Sequence, residues 1–271
     1  MPKFKKLHVG EILSNRELAE GHYLMSMALP AAFPEAAPGQ FVLVRAKDRA
    51  FPFLGRPLGI YVQEKGKGES RIEILYRVVG RGSGVFALLK KGDRVDILGP
   101  LGQGFRPVRG RDRIVLVAGG IGIAPLAPLV RRLRQKRPAG ATLDLYYGAR
   151  RADLLIGLGA LRKACSTIRI ATDDGSRGFG GPVTGLFAGD LKHYPPERTV
   201  IYACGPHAML KKMSELLERL PIPCQVSVEE RMACGVGACL GCVIEAKGAG
   251  KPYKRVCKEG PVFDLNEIVW R

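Results

Sequence analysis

No stretch of this 271-residue chain stays apolar long enough to cross a membrane. The opening residues, Met1-Pro-Lys-Phe-Lys-Lys-Leu-His8, lack the apolar core of a secretion signal. Histidine is scarce: four residues, scattered, with no acid–base constellation around them. There is no internal repeat and no low-complexity tract. Acidic residues are few, 25 against 43 lysines and arginines, for a net charge of +18. The cations are spread along the chain without a basic helix or an aromatic-interleaved RNA motif, so no nucleic-acid partner is expected. The excess reads as a solvated basic surface suited to an acidic partner or phosphate-bearing ligands. The cysteine count of seven is odd and suits a reducing compartment better than a disulfide framework. A cytoplasmic protein with no membrane contact is the expectation.

Four of those cysteines form a pattern: Cys234-Gly-Val-Gly-Ala-Cys239-Leu-Gly-Cys242, then Cys257. The C-x4-C-x2-C…C spacing is that of thiolates holding a plant-type [2Fe–2S] cluster. The loop must wrap tightly, and Gly235, Gly237 and Gly241 tolerate positive φ and close backbone approach. Their amides can also point at cluster sulfurs. A structural zinc site is the rival, but it usually shows two separated C-x2-C pairs or a Cys/His mixture. Here one C-x2-C stands with no histidine nearby.

The chain is expected to be a multi-domain β and α/β protein. Residues 1–106 read as an N-terminal antiparallel β-barrel, with short strands at Leu7–Leu13, Tyr23–Leu29, Phe41–Ala46, Gly59–Gln63, Arg71–Val78 and Arg94–Leu98. Arg106–Arg113 is polar and Arg-rich and reads as a linker. Residues 107–225 alternate strands and helices, the pattern of a parallel α/β nucleotide-binding domain. Its strands are expected at Ile114–Ala118, Thr142–Tyr147, Thr167–Ala171 and Thr199–Ala203. Its helices are expected at Pro125–Gln135, Ala152–Cys165 and Ala208–Arg219. Residues 226–271 form a small cysteine module with strands near Val243–Ala246 and Pro261–Phe263.

Val117-Ala-Gly-Gly-Ile-Gly-Ile-Ala-Pro125 follows an apolar strand and opens a helix. Gly119, Gly120 and Gly122 let backbone approach a pyrophosphate at the helix N-terminus. A tight strand–helix turn without a ligand would look the same. Tyr202-Ala-Cys204-Gly205-Pro206 ends another apolar strand, where ligands of open α/β sheets bind. Cys204 is the candidate catalytic residue, and Gly205 leaves room for a flat ring. A buried cysteine at a strand end is the plainer reading. In the barrel, Arg56-Pro57-Leu58-Gly59 offers an arginine fork for phosphate. Leu75-Tyr76-Arg77 and Gly82-Ser83 are placed to face the same ligand.

In this order the motifs resemble the ferredoxin–NADP reductase superfamily, over essentially the whole chain. The stretch Glu229-Glu-Arg-Met-Ala-Cys234 through Cys242, with Arg255-Val-Cys257-Lys-Glu-Gly-Pro-Val-Phe263, is similar to the electron-transfer subunits of NAD-dependent dihydroorotate dehydrogenases. The resemblance implies FAD on the barrel, held by Arg56–Gly59, Leu75–Arg77 and Gly82–Ser83. It implies the cluster on Cys234, Cys239, Cys242 and Cys257, and NAD on the α/β domain. It also implies an FMN-containing catalytic subunit as partner in a heterotetramer, which passes electrons through the cluster and FAD to NAD in pyrimidine biosynthesis. One departure is visible: related sequences place Ser or Thr where Gly59 stands, so a hydroxyl at flavin N5 is missing. A diaphorase subunit of a sulfide dehydrogenase or a ferredoxin–NADP transhydrogenase is the near alternative. An iron–sulfur sensor binding nucleic acid is the distant one. Arg150 and Arg151 follow a strand end and would suit a 2′-phosphate, which argues for NADP; the resemblance argues for NAD.

Overall fold

The computed structural model describes residues 6–47, 52–136, 140–248, 250 and 252–271. The start of the N-terminal segment read above, Met1–Lys5, lies outside the described residues. No helix among those described is long and apolar enough to cross a membrane.

The first layer is a seven-stranded antiparallel sheet. Its strands are β1 (Leu7–Ala19), β2 (His22–Pro30), β3 (Phe41–Ala46), β4 (Arg56–Gly59), β5 (Val62–Lys65), β6 (Glu69–Arg77) and, after helix α1 (Arg81–Ala87), β7 (Arg94–Leu101). They lie in the order β4-β3-β7-β1-β2-β6-β5. The two edge strands, β4 and β5, are joined only by Ile60 and Tyr61, so the sheet has to curl until its edges meet. Alternation does the rest: on β6 Ile72, Ile74 and Tyr76 enter the barrel core, while Leu75 packs toward the next domain. The expected strand Gly59–Gln63 is two strands broken at Ile60–Tyr61, whose side chains are buried on either side of that corner.

The second layer is a seven-stranded sheet built on β8 (Arg113–Gly119), with helix α2 (Ile123–Lys136), β9 (Thr142–Ala149), α3 (Leu158–Arg162), β10 (Thr167–Thr172), β11 (Phe179–Gly180), α4 (Val183–Asp190), β12 (Thr199–Cys204), α5 (His207–Leu217) and β13 (Cys224–Ser227). Strand β8 is apolar on both faces because both are covered. Ile114, Leu116 and Ala118 pack with α2, and Val115 and Val117 pack on the opposite side with Phe187 and Leu210. Pro125 sits third in α2, where its missing N–H would have had no helical partner. The helix expected at Ala152–Cys165 is a single tight turn at Ala152–Leu154 and the short α3, separated by Gly157 at φ +76°. Helix α4 and strand β13 carried no clear period in the sequence and were not anticipated.

The last segment adds a hairpin, β14 (Val243–Glu245) with β15 (Tyr253–Arg255), and β16 (Val262–Asp264). Strand β16 joins the α/β sheet antiparallel to β13. The boundary expected at 225/226 therefore falls inside β13, and the cysteine segment shares a core with the domain before it. The expected linker is also held down. Arg106 N–H donates to Gln225 Oε1 at 2.9 Å, Gln225 Nε2 returns to the Arg106 carbonyl at 2.8 Å, and Val108 N–H reaches the Tyr202 hydroxyl at 3.2 Å.

Candidate functional site

The α/β sheet runs β11-β10-β9-β8-β12-β13-β16. From β8 the chain first steps outward to β9 and β10, then returns to β12 on the other side. That reversal opens a crevice at the C-terminal ends of β8 and β12, where such sheets bind ligands. Both anticipated loops meet there. A Cβ on Gly122 would run into the Cys204 carbonyl, so only glycine lets the β8–α2 turn close against the end of β12. Gly119 and Gly205 are packed against Met209 in the same corner.

Two cavities flank this crevice. The larger, about 890 Å3, is lined by Arg56–Gly59, Leu75–Arg77 and Gly80–Ser83 from the barrel. Ile121, Ala124 and Pro125 from the β8–α2 turn and Ser227–Met232 from the end of β13 close its other side. The smaller, about 680 Å3, is lined by Gly119–Ile121, Gly148–Arg151, Asp173, Pro182–Thr184, Pro206, Ala208 and Met209, with Glu20, His22 and Arg77 from the barrel. Arg77 and Ile121 border both, so the two spaces are neighbours across one arginine.

The barrel motifs all border the larger cavity. Arg56 lies against Gly82, where an added Cβ would stand 2.5 Å from its Nε, and its Nη1 donates to the Leu54 carbonyl at 2.9 Å. Its remaining guanidinium donors suit a phosphate. At Gly59 a Cβ would meet nothing within 4 Å, so the missing hydroxyl leaves open space. Ser83 borders the cavity, but its hydroxyl is engaged in the preceding turn. It receives Val79 and Gly80 N–H groups at 2.9 and 3.3 Å and donates to the Gly80 carbonyl at 3.1 Å. Tyr76 contributes backbone there. Its ring stacks on Tyr23 in the barrel core, its hydroxyl donates to Asn15 Oδ1 at 3.1 Å, and burial raises its pKa. The volume, the apolar floor of Leu58 and Leu75, and the arginine at one end fit a flavin dinucleotide.

Gly119 and Gly120 line the smaller cavity; Gly122 and Gly205 line neither and serve close packing. Cys204 is placed differently from the expectation. Its side chain is 1% exposed, burial pushes its thiol pKa far up, and it bonds to Ser227 rather than facing a cavity. A strand end buried between two helices has no room to turn a side chain outward.

The cysteines fall into two pairs. Cys234 Sγ accepts N–H groups from Ala238 and Cys239 at 3.3 and 3.4 Å, and it contacts the Cys239 thiol. Cys242 Sγ accepts the Cys257 N–H at 3.4 Å, and the two thiols also interact. Burial opposes ionisation of Cys234, but the amides of Cys239, Val236 and Ala238 outweigh it and bring its pKa to about 6. Burial and the neighbouring Cys242 push Cys257 up to about 12. Two thiols so close ionise together only with a cation between them, and two such pairs suit two irons sharing one cluster. Gly235 (φ +66°) and Gly237 (φ +81°) make the wrap, and a Cβ on Gly235 would stand 2.5 Å from Leu43 of β3. Gly241 does not take positive φ; Leu240 does, at +60°, while Gly241 donates its N–H to Cys239 Sγ at 3.5 Å. Met232, two residues before the first cysteine, borders the larger cavity.

Glu229 was missed as a site residue, although it stands two residues past the C-terminal end of β13, near the place the strand-end rule marks. It is an exposed residue that borders the larger cavity, with its carboxyl partly desolvated there. That desolvation raises its pKa from the usual glutamate value, with Arg77 pulling the other way. Glu229 therefore keeps its proton to higher pH than a free glutamate, about 4.3. Flavin bleaching by NADH, followed by stopped-flow absorbance, should show an ionisation step above that pH. The step should vanish in Glu229→Gln; its persistence there would assign it to another group.

Comparison with known proteins agrees with this geometry. Residues 229–269 match the iron–sulfur cluster binding domain of dihydroorotate dehydrogenase B, and residues 116–215 match the oxidoreductase NAD-binding domain. The dihydroorotate dehydrogenase B (NAD(+)) electron transfer subunit of Desulforamulus reducens is 38% identical over 98% of this chain and 99% of its own length. That of Geobacillus thermodenitrificans is 37% identical over 95% of this chain and 96% of its own. Among solved structures, a chain of an NADH-dependent reduced ferredoxin–NADP oxidoreductase superposes with a TM-score of 0.81 at 28% identity, covering 100% of this chain and 92% of that one. Relatives alike from end to end, with both domain matches lying on the cavities and cysteines described, place the chain in the family of dihydroorotate dehydrogenase B (NAD(+)) electron transfer subunits.

Proposed function

We propose that this chain passes electrons from an FMN-containing dihydroorotate dehydrogenase subunit, through its own [2Fe–2S] cluster and FAD, to NAD. The observation that carries the reading is spatial order. The nucleotide cavity meets the flavin cavity at Arg77, and the flavin cavity reaches Met232, two residues from Cys234. Nicotinamide, flavin and cluster thus have adjoining seats in the order that the transfer needs. A bound flavin exchanges hydride with nicotinamide and single electrons with a cluster, which joins the two chemistries.

The chain's own residues have separable tasks. Arg56 holds flavin phosphate, and Pro57–Gly59 with Leu75–Arg77 shape the ring seat. Gly119 and Gly120 bring backbone to the nucleotide pyrophosphate at the start of α2. Cys234, Cys239, Cys242 and Cys257 hold iron, and their neighbouring amides hold charge on sulfur. Residues 1–106 carry the flavin, 107–225 the nucleotide and 226–271 the cluster, with β16 binding the third unit to the second. Cys239 is exposed beside Val236 and Leu240, which are 44% and 59% exposed. That apolar rim at the cluster is where the catalytic subunit docks, since one-electron transfer needs short range.

Among the described residues no constellation suits deprotonation of a dihydropyrimidine, so the partner supplies that step. The assembly is a heterotetramer in the cytoplasm. Co-expression with an FMN-type dihydroorotate dehydrogenase chain should give a co-purifying complex of two copies of each, measured by light scattering. Leu240→Asp should dissociate it while the cluster spectrum survives. A partner that never co-purifies would remove this reading. The second reading, a subunit of a ferredoxin–NADP transhydrogenase, is favoured by the end-to-end likeness to the ferredoxin–NADP oxidoreductase chain. The higher identity to the dihydroorotate relatives favours the first.

A further inference from the structure

Arg150 and Arg151 stand at the end of β9, both on the wall of the smaller cavity. Strand β9 lies next to β8, whose end carries the glycine turn. In nucleotide-binding sheets the end of that second strand meets the adenosine ribose. A carboxylate there accepts the 2′-hydroxyl, and an arginine takes a 2′-phosphate. From sequence the arginine pair argues for the phosphorylated nucleotide.

Arg151, however, is already engaged. Its Nη2 lies 3.2 Å from Glu20 Oε2 and 3.0 Å from Asp153 Oδ2, and its Nε donates to Asp153 Oδ1 at 3.1 Å. Glu20 reaches it from the other domain, out of the β1–β2 turn. That turn is itself fixed, with the Gly21 N–H donating to Glu17 Oε1 at 2.8 Å and His22 Nδ1 standing 2.7 Å from the Glu20 carbonyl. Glu20 borders the same cavity, as does Asp173, whose N–H donates to the Ala149 carbonyl at 3.0 Å. Two carboxylates, Glu20 and Asp153, thus hold Arg151, and Asp173 borders the same cavity.

We propose that Glu20 is a specificity-determining residue that reserves this cavity for the nucleotide without a 2′-phosphate. From across the domain boundary it shares Arg151 Nη2 with Asp153, which holds the Nε–Nη2 fork, and presents a carboxylate to any phosphate that would compete for it. The proposal rests on the smaller cavity being the nucleotide site. A 2′-phosphate brings between about one and a half and two negative charges near neutral pH, by analogy with phosphorylated side chains. It has to displace Glu20 and Asp153 or share one guanidinium with them. NAD(H) brings a hydroxyl instead, which the same carboxylates accept. The Arg151–Glu20 pair is exposed, at 51% and 83% of their side chains, so its role is selectivity rather than stability.

The test compares kcat/KM for NADH and NADPH with an artificial acceptor in the flavin-loaded protein. It adds equilibrium binding of AMP and adenosine 2′,5′-bisphosphate by calorimetry. Wild type should prefer NADH and AMP. Glu20→Gln should raise the NADPH:NADH ratio about threefold, and Glu20→Gln/Asp153→Asn about tenfold, with matching gains in bisphosphate binding. Arg151→Ala added to the double variant should erase the gain. Gly120→Asp is the control. Gly120 has φ +53°, which aspartate tolerates, and a Cβ there meets nothing within 4 Å, so the change sets a carboxylate at the pyrophosphate seat. It should raise the KM for both nucleotides. If Gly120→Asp does so while the Glu20 variants leave the ratio unchanged, the specificity assignment is overturned and the cavity reading stands. If Gly120→Asp changes neither KM, the cavity reading falls, and the proposal with it. A wild-type preference for NADPH also overturns the assignment.

Discussion

Cys242→Ser should cut dihydroorotate-to-NAD transfer in the assembled complex by at least about 100-fold, while NADH oxidation with an artificial acceptor survives. The side chain is 3% exposed and paired with Cys257 in the interior of the cysteine segment. Mutating even a supporting residue around a metal costs about 10- to 100-fold in affinity or activity, and a lost thiolate costs no less. None of the four cysteines lines either cavity, so flavin–nucleotide exchange should be preserved. Iron content, the visible spectrum and both activities of the variant decide the matter. The unassembled wild-type chain gives the companion result: NADH oxidation without orotate formation. Orotate production by the chain alone, or full NAD-linked turnover in a complex shown to lack iron, would overturn the order of transfer.

Arg56→Ala should weaken FAD binding about 10- to 100-fold and leave the cluster in place. Hydrogen bonds to a charged partner contribute about 1.5–3 kcal/mol, and about 1.4 kcal/mol is a factor of ten. The loss acts on the flavin alone, because Arg56 contacts Gly82 and Leu54 and none of the four cysteines. Flavin remaining after dilution and gel filtration, set against iron per chain, is the measurement. Retention of flavin at the wild-type ratio would remove Arg56 from the phosphate site. Parallel loss of iron would mean that the barrel and the cysteine segment fold as one.

Those two expectations differ in how much of their basis was legible beforehand. Cysteine spacing is local chemistry: four thiolates within reach of two irons need a short loop, and C-x4-C-x2-C states that loop. The apolar run of β8 followed by Gly119-Gly120-Ile-Gly122 is equally local, since burial on both faces and a sharp turn leave their marks on consecutive residues. The barrel motifs were visible for the same reason. What a residue faces was not visible. Cys204 sits beside the crevice in sequence but points into the core, because β12 is covered on both sides. Glu229 looked like a lead-in to the cysteines, yet it lines the larger cavity because β13 ends there.

Local pattern, then, determined the cluster, the glycine turn, the succession of a β unit and an α/β unit, and the family they belong to. Tertiary structure decided whatever depends on partners distant in the chain. Strand β16 crosses back onto β13, so the cysteine segment is tied into the α/β sheet. Gly241 keeps ordinary backbone while Leu240 takes the left-handed position, and it is Gly235 that is pressed against Leu43 of the barrel. Arg151 reads as a phosphate ligand until Asp153 and, from 131 residues away, Glu20 are found on its guanidinium. Periodicity and spacing record what neighbours along the chain require. The direction of a side chain, and whether its charge is free, are set by packing between elements that the sequence leaves far apart.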